Sequence, residues 1–143
     1  MASKADTIDA LRSVNLFQGL DEDALGRIAS QFKEYRFPAG GDVIAEDTSG
    51  RFGRLYVIVS GTATARVHDD VVASYAPGDS FGEMSALDGQ PRSAGVVADT
   101  DLLALGLSAW NMRALLREHP DIALHVIETL AARLRAANEA AHD

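Results

Sequence analysis

Residues 55–80 read LYVIVSGTATARVHDDVVASYAPGDS. Three β-prone runs, LYVIVS, TATARV and VVASYA, are parted by SG, HDD and PGD. Glycine, aspartate and proline at such short intervals punctuate strands. In TATARV, alternation sets Thr62, Thr64 and Arg66 on one face and leaves the other to alanine and valine. Outward from this stretch the pattern repeats. PAGGD (38–42), DTSG (47–50), DGQP (88–91) and ADTD (98–101) bound further runs, DVIAE, AGVVA and LLALGL. No helix-length segment separates these runs, so a parallel α/β sheet is excluded and an antiparallel sandwich or barrel is expected.

Helical periodicity lies on either side. TIDALRSVNL (7–16) carries Ile8, Leu11 and Leu16 at near-helical spacing. After the turn FQGL, Asp21 reads as an N-cap, and Glu22 and Asp23 suit the positive helix end. Leu25, Ile28, Ala29 and Phe32 give that helix one apolar face. Ser108 reads as the cap of AWNMRALLREH, and Pro120 as the first-turn residue of a long final helix. Ile122, Val126, Leu130 and Leu134 form a stripe along it, to pack on the sandwich or on a partner's equivalent helix. The chain is mainly β with flanking α-helices. One domain is expected over residues 7–139, with N-terminal helices in 7–32, strands in 33–107 and C-terminal helices in 108–139. Residues 1–6 and 140–143 are expected to be disordered tails.

Composition narrows the function. The 143 residues carry a formal net charge of −8, with 47% hydrophobic and 24% charged residues, so the chain is globular rather than disordered. The arginines are scattered, without a basic block, which argues against direct nucleic-acid binding. Arg113, Arg117, Arg133 and Arg135 fall in helices among acids and are expected on solvated faces. No apolar run reaches the roughly 18 residues of a membrane span. The start, MASKADTIDAL, has no secretory signal pattern, and a cytoplasmic location is the default. With no cysteine, thiolate metal sites are excluded. His68, His119, His125 and His142 stand apart without ligand spacing, so no metal site is expected. No nucleophile–base pair is present: Ser108 lacks the nucleophile-elbow context and reads as a cap. No catalytic residue and no cofactor are therefore expected. Trp110 and Tyr56 are expected to pack.

One stretch specifies a ligand. FGEMSALDGQPRSAGV (81–96) places Glu83 after a glycine and Arg92 after a proline, with mostly small, apolar and turn-forming residues between. Gly82 permits a tight turn and close approach of backbone. If Glu83–Leu87 makes one helical turn, its free N–H groups, including those of Met84 and Ser85, form an anion site. Arg92, leading the next strand, can grip the same anion with its fork of donors. Glu83 only accepts hydrogen bonds and so suits hydroxyls. The specification is an anion flanked by a diol or a free sugar hydroxyl. Taken singly, Glu83 also fits an acid at a helix start and Arg92 a surface strand residue.

Phe-Gly-Glu followed by Pro-Arg-Ser-Ala, with the Arg nine residues after the Glu, resembles the phosphate-binding cassette of cyclic-nucleotide-binding domains. Such domains occur in catabolite-activator-type regulators, kinase regulatory subunits and cyclic-nucleotide-gated channels. LFQGL, FPAGGDVI, LYVIVSG, APGD and HPDIALHVIETLAARL also stand in family order, so the resemblance runs from about Leu11 to Asn138. It implies a double-stranded, jelly-roll-like β-roll with a cassette over 81–94. By position, Glu83 would hold the ribose 2′-hydroxyl and Arg92 the cyclic phosphate. Backbone N–H groups of Gly82, Met84 and Ser85 would add donors, and Ser93 a hydroxyl. Gly61 would be a structural turn glycine. Arg66, if it faces inward, and Asn138 are the candidate base contacts. The resemblance implies cAMP, with cGMP as the alternative. Two departures stand out. DTSGRFGRL (47–55) replaces a loop about two residues shorter, which would bring Arg51 or Phe52 beside the pocket. The sequence also ends soon after its last helix, where regulators of this kind continue into a helix-turn-helix. The expected partners are a cyclic nucleotide, an unidentified protein effector, and a second copy through the C-terminal helix. The other readings are the sensor half of a transcription regulator and a ligand-free interaction module of the same fold.

Overall fold

The computed structural model describes residues 3–44, 53–82, 87 and 94–141. Helix α1 (Lys4–Arg12) starts earlier than its apolar periodicity announces. The Ser3 hydroxyl accepts from the Asp6 N–H at 3.1 Å, and the Asp6 carboxylate accepts from the Ser3 N–H at 3.3 Å. This reciprocal capping box fixes residues expected to lie in a tail. A 3-10 turn (Asn15–Phe17) leads to α2 (Glu22–Ala29), capped by Asp21, whose carboxylate accepts from the Ala24 N–H at 2.8 Å.

Strands β1 (Lys33–Phe37), β2 (Asp42–Ile44), β3 (Arg54–Ser60), β4 (Ala63–Val67), β5 (Asp70–Tyr75), β6 (Ser80–Phe81), β7 (Gly95–Ala98) and β8 (Leu102–Ser108) follow. They pair antiparallel in two four-stranded sheets, β1-β8-β3-β6 and β2-β7-β4-β5. The interleaved order makes the fold a β-roll. KEYRF, which forms β1, carries three charges, and its alternating Tyr35 and Phe37 pack against the inter-sheet cluster. It is an edge strand, where charge is tolerated and discourages pairing with other chains.

The two sheets differ in how they are buried. The first has helices on one face and the second sheet on the other. Leu55 and Val57 of β3, with Leu105 and Leu107 of β8, join a cluster made with Leu11, Phe17, Ile28, Met112, Ile122 and Val126. Their neighbours Tyr56, Ile58, Leu102 and Ala104 point the other way, to Ala63, Ala65, Phe81, Val96 and Ala98. Burial on both faces explains why LYVIV and LLALGL are continuous apolar runs. The second sheet shows its outer face to solvent: Ala63 and Ala65 are buried while Arg66 is exposed. Gly61 closes the β3–β4 turn at φ +91°, where a Cβ would run into the carbonyl oxygen of Asp101.

Helix α3 (Ala109–Glu118) is capped by the Ser108 hydroxyl, which accepts from the Asn111 N–H at 3.1 Å. Helix α4 (Pro120–Ala141) opens on proline and runs past residue 139, because its last residues, Asn138-Glu-Ala-Ala141, are mostly good helix formers. The expected stripe divides. Ile122 and Val126 are buried and Leu130 packs against the helix-side cluster, but Leu134 is 63% exposed. Trp110, expected to pack, is 81% exposed: Met112 and Leu115 supply the buried face of α3. Tyr56 does pack.

Candidate functional site

The chain enters the 81–94 stretch through a fixed turn. The Asp79 carboxylate accepts from the Ala76 N–H at 2.8 Å, and the Asp79 N–H donates to the Ala76 carbonyl at 2.9 Å. The same turn is tied to β3: the Ile58 N–H donates to the Asp79 carbonyl at 3.0 Å and the Gly78 N–H to the Ile58 carbonyl at 2.9 Å. Phe81 then stacks on Tyr75, with ring centroids 4.7 Å apart, and lies 5.5 Å from the Tyr56 ring. Its side chain is thus a core residue, and the backbone turns out of the roll at Gly82. Gly82 has φ +88°, a conformation open to glycine and strained for other residues.

The stretch has two more described points. Leu87 packs partly buried against the helix-side cluster, and its carbonyl accepts from Arg113 Nη2 on α3 at 2.9 Å. Ala94 packs against the inter-sheet cluster and leads into β7, which pairs with β4 and β2. Glu83, Met84, Ser85, Arg92 and Ser93 lie outside the described residues, as do Arg51 and Phe52. Gly82 is therefore the one expected ligand-site residue of the stretch whose conformation is described.

The two candidate base contacts lie elsewhere. Arg66 takes the outer of its two alternatives, because Ala63 and Ala65 occupy the inward positions of β4. Its guanidinium Nη1 donates to the Asp69 carbonyl at 3.1 Å, closing the β4–β5 hairpin over His68 and Asp69, which both have positive φ. Asn138 is exposed in the last turns of α4.

Three arginines matter more than sequence reasoning allowed. Arg113, assigned to a solvated face, reaches across 26 residues of sequence to Leu87. Arg133, likewise assigned, lines a cleft of about 300 Å³ with Ser13, Ser74, Tyr75, Gly78, Asp79 and Ser80. Helix α4 therefore returns over the turn that feeds Gly82. Arg54 donates to the Tyr56 hydroxyl at 3.3 Å and lies over the Tyr35 ring, 4.6 Å from its centroid. The Tyr56 hydrogen bond, opposed by burial, holds the Arg54 guanidinium above its ordinary pKa. Local pattern carried no signal for Arg113 or Arg133, whose partners are distant in sequence, whereas Arg54 stands two residues from Tyr56 on the same strand. His125 Nε2 is buried without a hydrogen-bond partner, where α4 passes Gly19. Among the described residues, no group of three or more His, Asp or Glu could hold a metal ion, and no helix is long and apolar enough to cross a membrane.

Among the described residues, eight strands form a roll that is roofed by helices on one sheet, with Gly82 at positive φ after β6. The family model for the cyclic nucleotide-binding domain matches residues 34–119, more than half of the sequence, and the chain belongs to that family. The chain is 30% identical, over 91% of its length, to a CRP-like cAMP-activated global transcriptional regulator of Mycobacterium tuberculosis, and covers 59% of that protein. It is 35% identical, over 78% of its length, to a cAMP-dependent protein kinase regulatory subunit of Aspergillus niger, of which it covers 27%. It thus spans little more than half, or less, of these relatives. Among solved structures, the N-terminal domain of a transcriptional regulator from Streptomyces coelicolor A3(2) matches with a TM-score of 0.81 and 28% identity, covering 92% of this chain and 96% of that one. The matched family is a regulatory one, and no catalytic family is indicated.

Proposed function

We propose that the chain is a non-catalytic cyclic-nucleotide sensor that favours cAMP. The observation that carries the reading is the family match across the stretch in which Phe81-Gly82-Glu83 and Pro91-Arg92-Ser93-Ala94 stand. The anchored entry at Gly82 supports it. Glu83 accepts from the ribose 2′-hydroxyl, and Arg92 pairs with the cyclic phosphate. Backbone N–H groups of Gly82, Met84 and Ser85 add donors, and Ser93 adds a hydroxyl. No metal or cofactor takes part. With Arg66 on the outer face, Asn138 is the remaining candidate for the base, carried there by α4.

The nucleotide's effect must pass to a partner that prefers one state. We infer a second copy of the chain, met through α4, and beyond it a protein effector in the cytoplasm. Leu124, Ile127 and Leu134 are 57%, 61% and 63% exposed. With Ala131 between the last two, they recur at the three-and-four spacing of a helix–helix seam, and Asn138 is next in that series. The net charge of −8 and the scattered arginines weigh against direct nucleic-acid binding.

Calorimetric titration with cAMP and with cGMP tests the reading. One nucleotide per chain should bind, with cAMP about tenfold tighter, or ~1.4 kcal/mol. The margin is small because the choice rests on one or two hydrogen bonds at a partly open mouth. No heat with either nucleotide would overturn the sensor reading, and equal or tighter cGMP binding would overturn the choice of base.

A further inference from the structure

Trp110, the single tryptophan of the sequence, is 81% exposed in the first turn of α3. The helix takes its buried face from Ala109, Met112 and Leu115. At about 100° per residue, Trp110 lies about 140–160° round from Met112 and Leu115, on the side turned away from the domain. The same spacing sets Arg117 within about 20° of Trp110 and Arg113 within about 60°. All three side chains are exposed. They form a stripe that runs about 10 Å along the helix, at about 1.5 Å per residue. Its base is firm, because Ser108 caps the helix and the opposite face is buried in the helix-side cluster.

Charge says what fits the stripe. Residues 110–117, WNMRALLR, contain no acid, on a chain whose net charge is −8. Arg113 Nη2 donates to the Leu87 carbonyl at 2.9 Å, which leaves most of the five guanidinium donors for another partner. Among the described residues, Arg117 makes no ion pair or hydrogen bond. Tryptophan and arginine are the side chains on which protein interfaces concentrate their binding energy. One indole and two guanidiniums over two turns are too few for a lipid surface, which takes a longer face with several apolar and basic residues. The second copy proposed above has its own face in the uncharged row of α4. An acidic protein segment with an apolar side chain matches both parts of the stripe: carboxylates for the guanidiniums, and the apolar group for the indole.

We propose that the Trp110–Arg113–Arg117 stripe of α3 is a docking surface for an acidic segment of a partner protein. The stripe goes beyond the nucleotide reading and does not depend on it. Trp110 is the anchor, giving up its water contact to an apolar side chain of the segment. Arg117 supplies the free cation at the far end, and Arg113 the flanking one. A few extended residues, at about 3.3 Å each, span the distance from Trp110 to Arg117.

The single tryptophan makes the test direct, because all indole fluorescence of the full chain comes from the stripe. The probe is a synthetic peptide, Glu-Leu-Asp-Glu-Leu-Asp, and its control is Lys-Leu-Lys-Lys-Leu-Lys. The acidic peptide should move the emission to shorter wavelength along a saturable curve, and the basic peptide should leave it in place. Salt at about 0.5 M should weaken the binding, because the pairs are exposed and screened. Arg117→Glu, which keeps the tryptophan, should raise the peptide Kd about tenfold or more through like-charge repulsion. It should leave the circular dichroism spectrum and the Kd for cAMP unchanged. No shift with the acidic peptide, an equal shift with both peptides, or an unchanged Kd in Arg117→Glu would overturn the proposal. So would a shift with vesicles of phosphatidylserine and phosphatidylcholine but not with the peptide, which would make the stripe a lipid surface. A shift that appears on raising the protein concentration alone, together with a larger species in gel filtration, would give the stripe to a second copy and overturn it as well. A chain that takes the peptide but no cyclic nucleotide would lose the sensor reading and keep the docking surface.

Discussion

The proposed function gives Arg92 and Glu83 opposite tasks, one holding an anion and the other a hydroxyl. Arg92→Ala takes away the guanidinium assigned to the phosphate and leaves an anion facing only backbone donors. Truncating one partner of a buried charge pair costs about 2–5 kcal/mol. At 1.4 kcal/mol per tenfold, cAMP should bind about thirty-fold to several thousand-fold more weakly, measured by calorimetry on a variant shown to be folded. An unchanged Kd would remove Arg92 from the site. The motif alone names both residues, because Phe-Gly-Glu and Pro-Arg-Ser-Ala stand within one stretch, 81–94. Gly82 was legible for the same reason, and its φ of +88° gives the glycine a backbone need. Arg66 was legible only as two alternatives. Alternation separates two faces but does not say which one is inward, and that was decided by Ala63 and Ala65 packing against the facing sheet. Arg113 and Arg133 were not legible at all. A helix among acids looks solvated until the fold brings Leu87 or the Gly78–Asp79 turn beside it.

Among the elements, α4 divides its work along its length. Its first turns bury Ile122 and Val126 in the helix-side cluster, and its later turns leave Leu134 and Ile127 to solvent. A stripe repeating every four residues drifts by about 40° per step around a helix of 3.6 residues per turn, so Leu134 lies about 120° round from Ile122. The second face, at 124, 127, 131 and 134, is the one we propose for another copy. Ile127→Asp with Leu134→Asp should convert a dimer to a monomer by light scattering behind gel filtration. The thermal transition of the isolated chain should move little, because both side chains are exposed within it. A protein that is already monomeric before substitution would sink the second-copy reading. Strand β1 keeps its pattern under a charged sequence: Tyr35 and Phe37 alternate toward the inter-sheet cluster, and Lys33, Glu34 and Arg36 are tolerated because an edge position needs backbone partners on one side only.

Across the whole molecule, one sheet serves two cores. Strands β3 and β8 send alternate side chains into the helix-side cluster and the inter-sheet cluster. A loss on either side should therefore destabilise the domain as a unit. Leu107, fully buried on the helix side, tests this. Leu107→Ala should cost about 2–5 kcal/mol in urea unfolding, with fluorescence and circular dichroism still falling in a single transition. Two separated transitions would mean that helices and roll unfold independently. The sequence by itself determined what short-range physics controls: where strands end, which residues cap helices, and that the sheets are antiparallel. These follow from turn residues, hydrogen-bonding side chains and periods that act over a few residues. Only the tertiary structure decided that β8 lies between β1 and β3 and β7 between β2 and β4, which face of β4 is inward, and that Arg113 holds Leu87. Those depend on apolar surfaces and donors far apart in the chain, whose pairing is set when both cores close together.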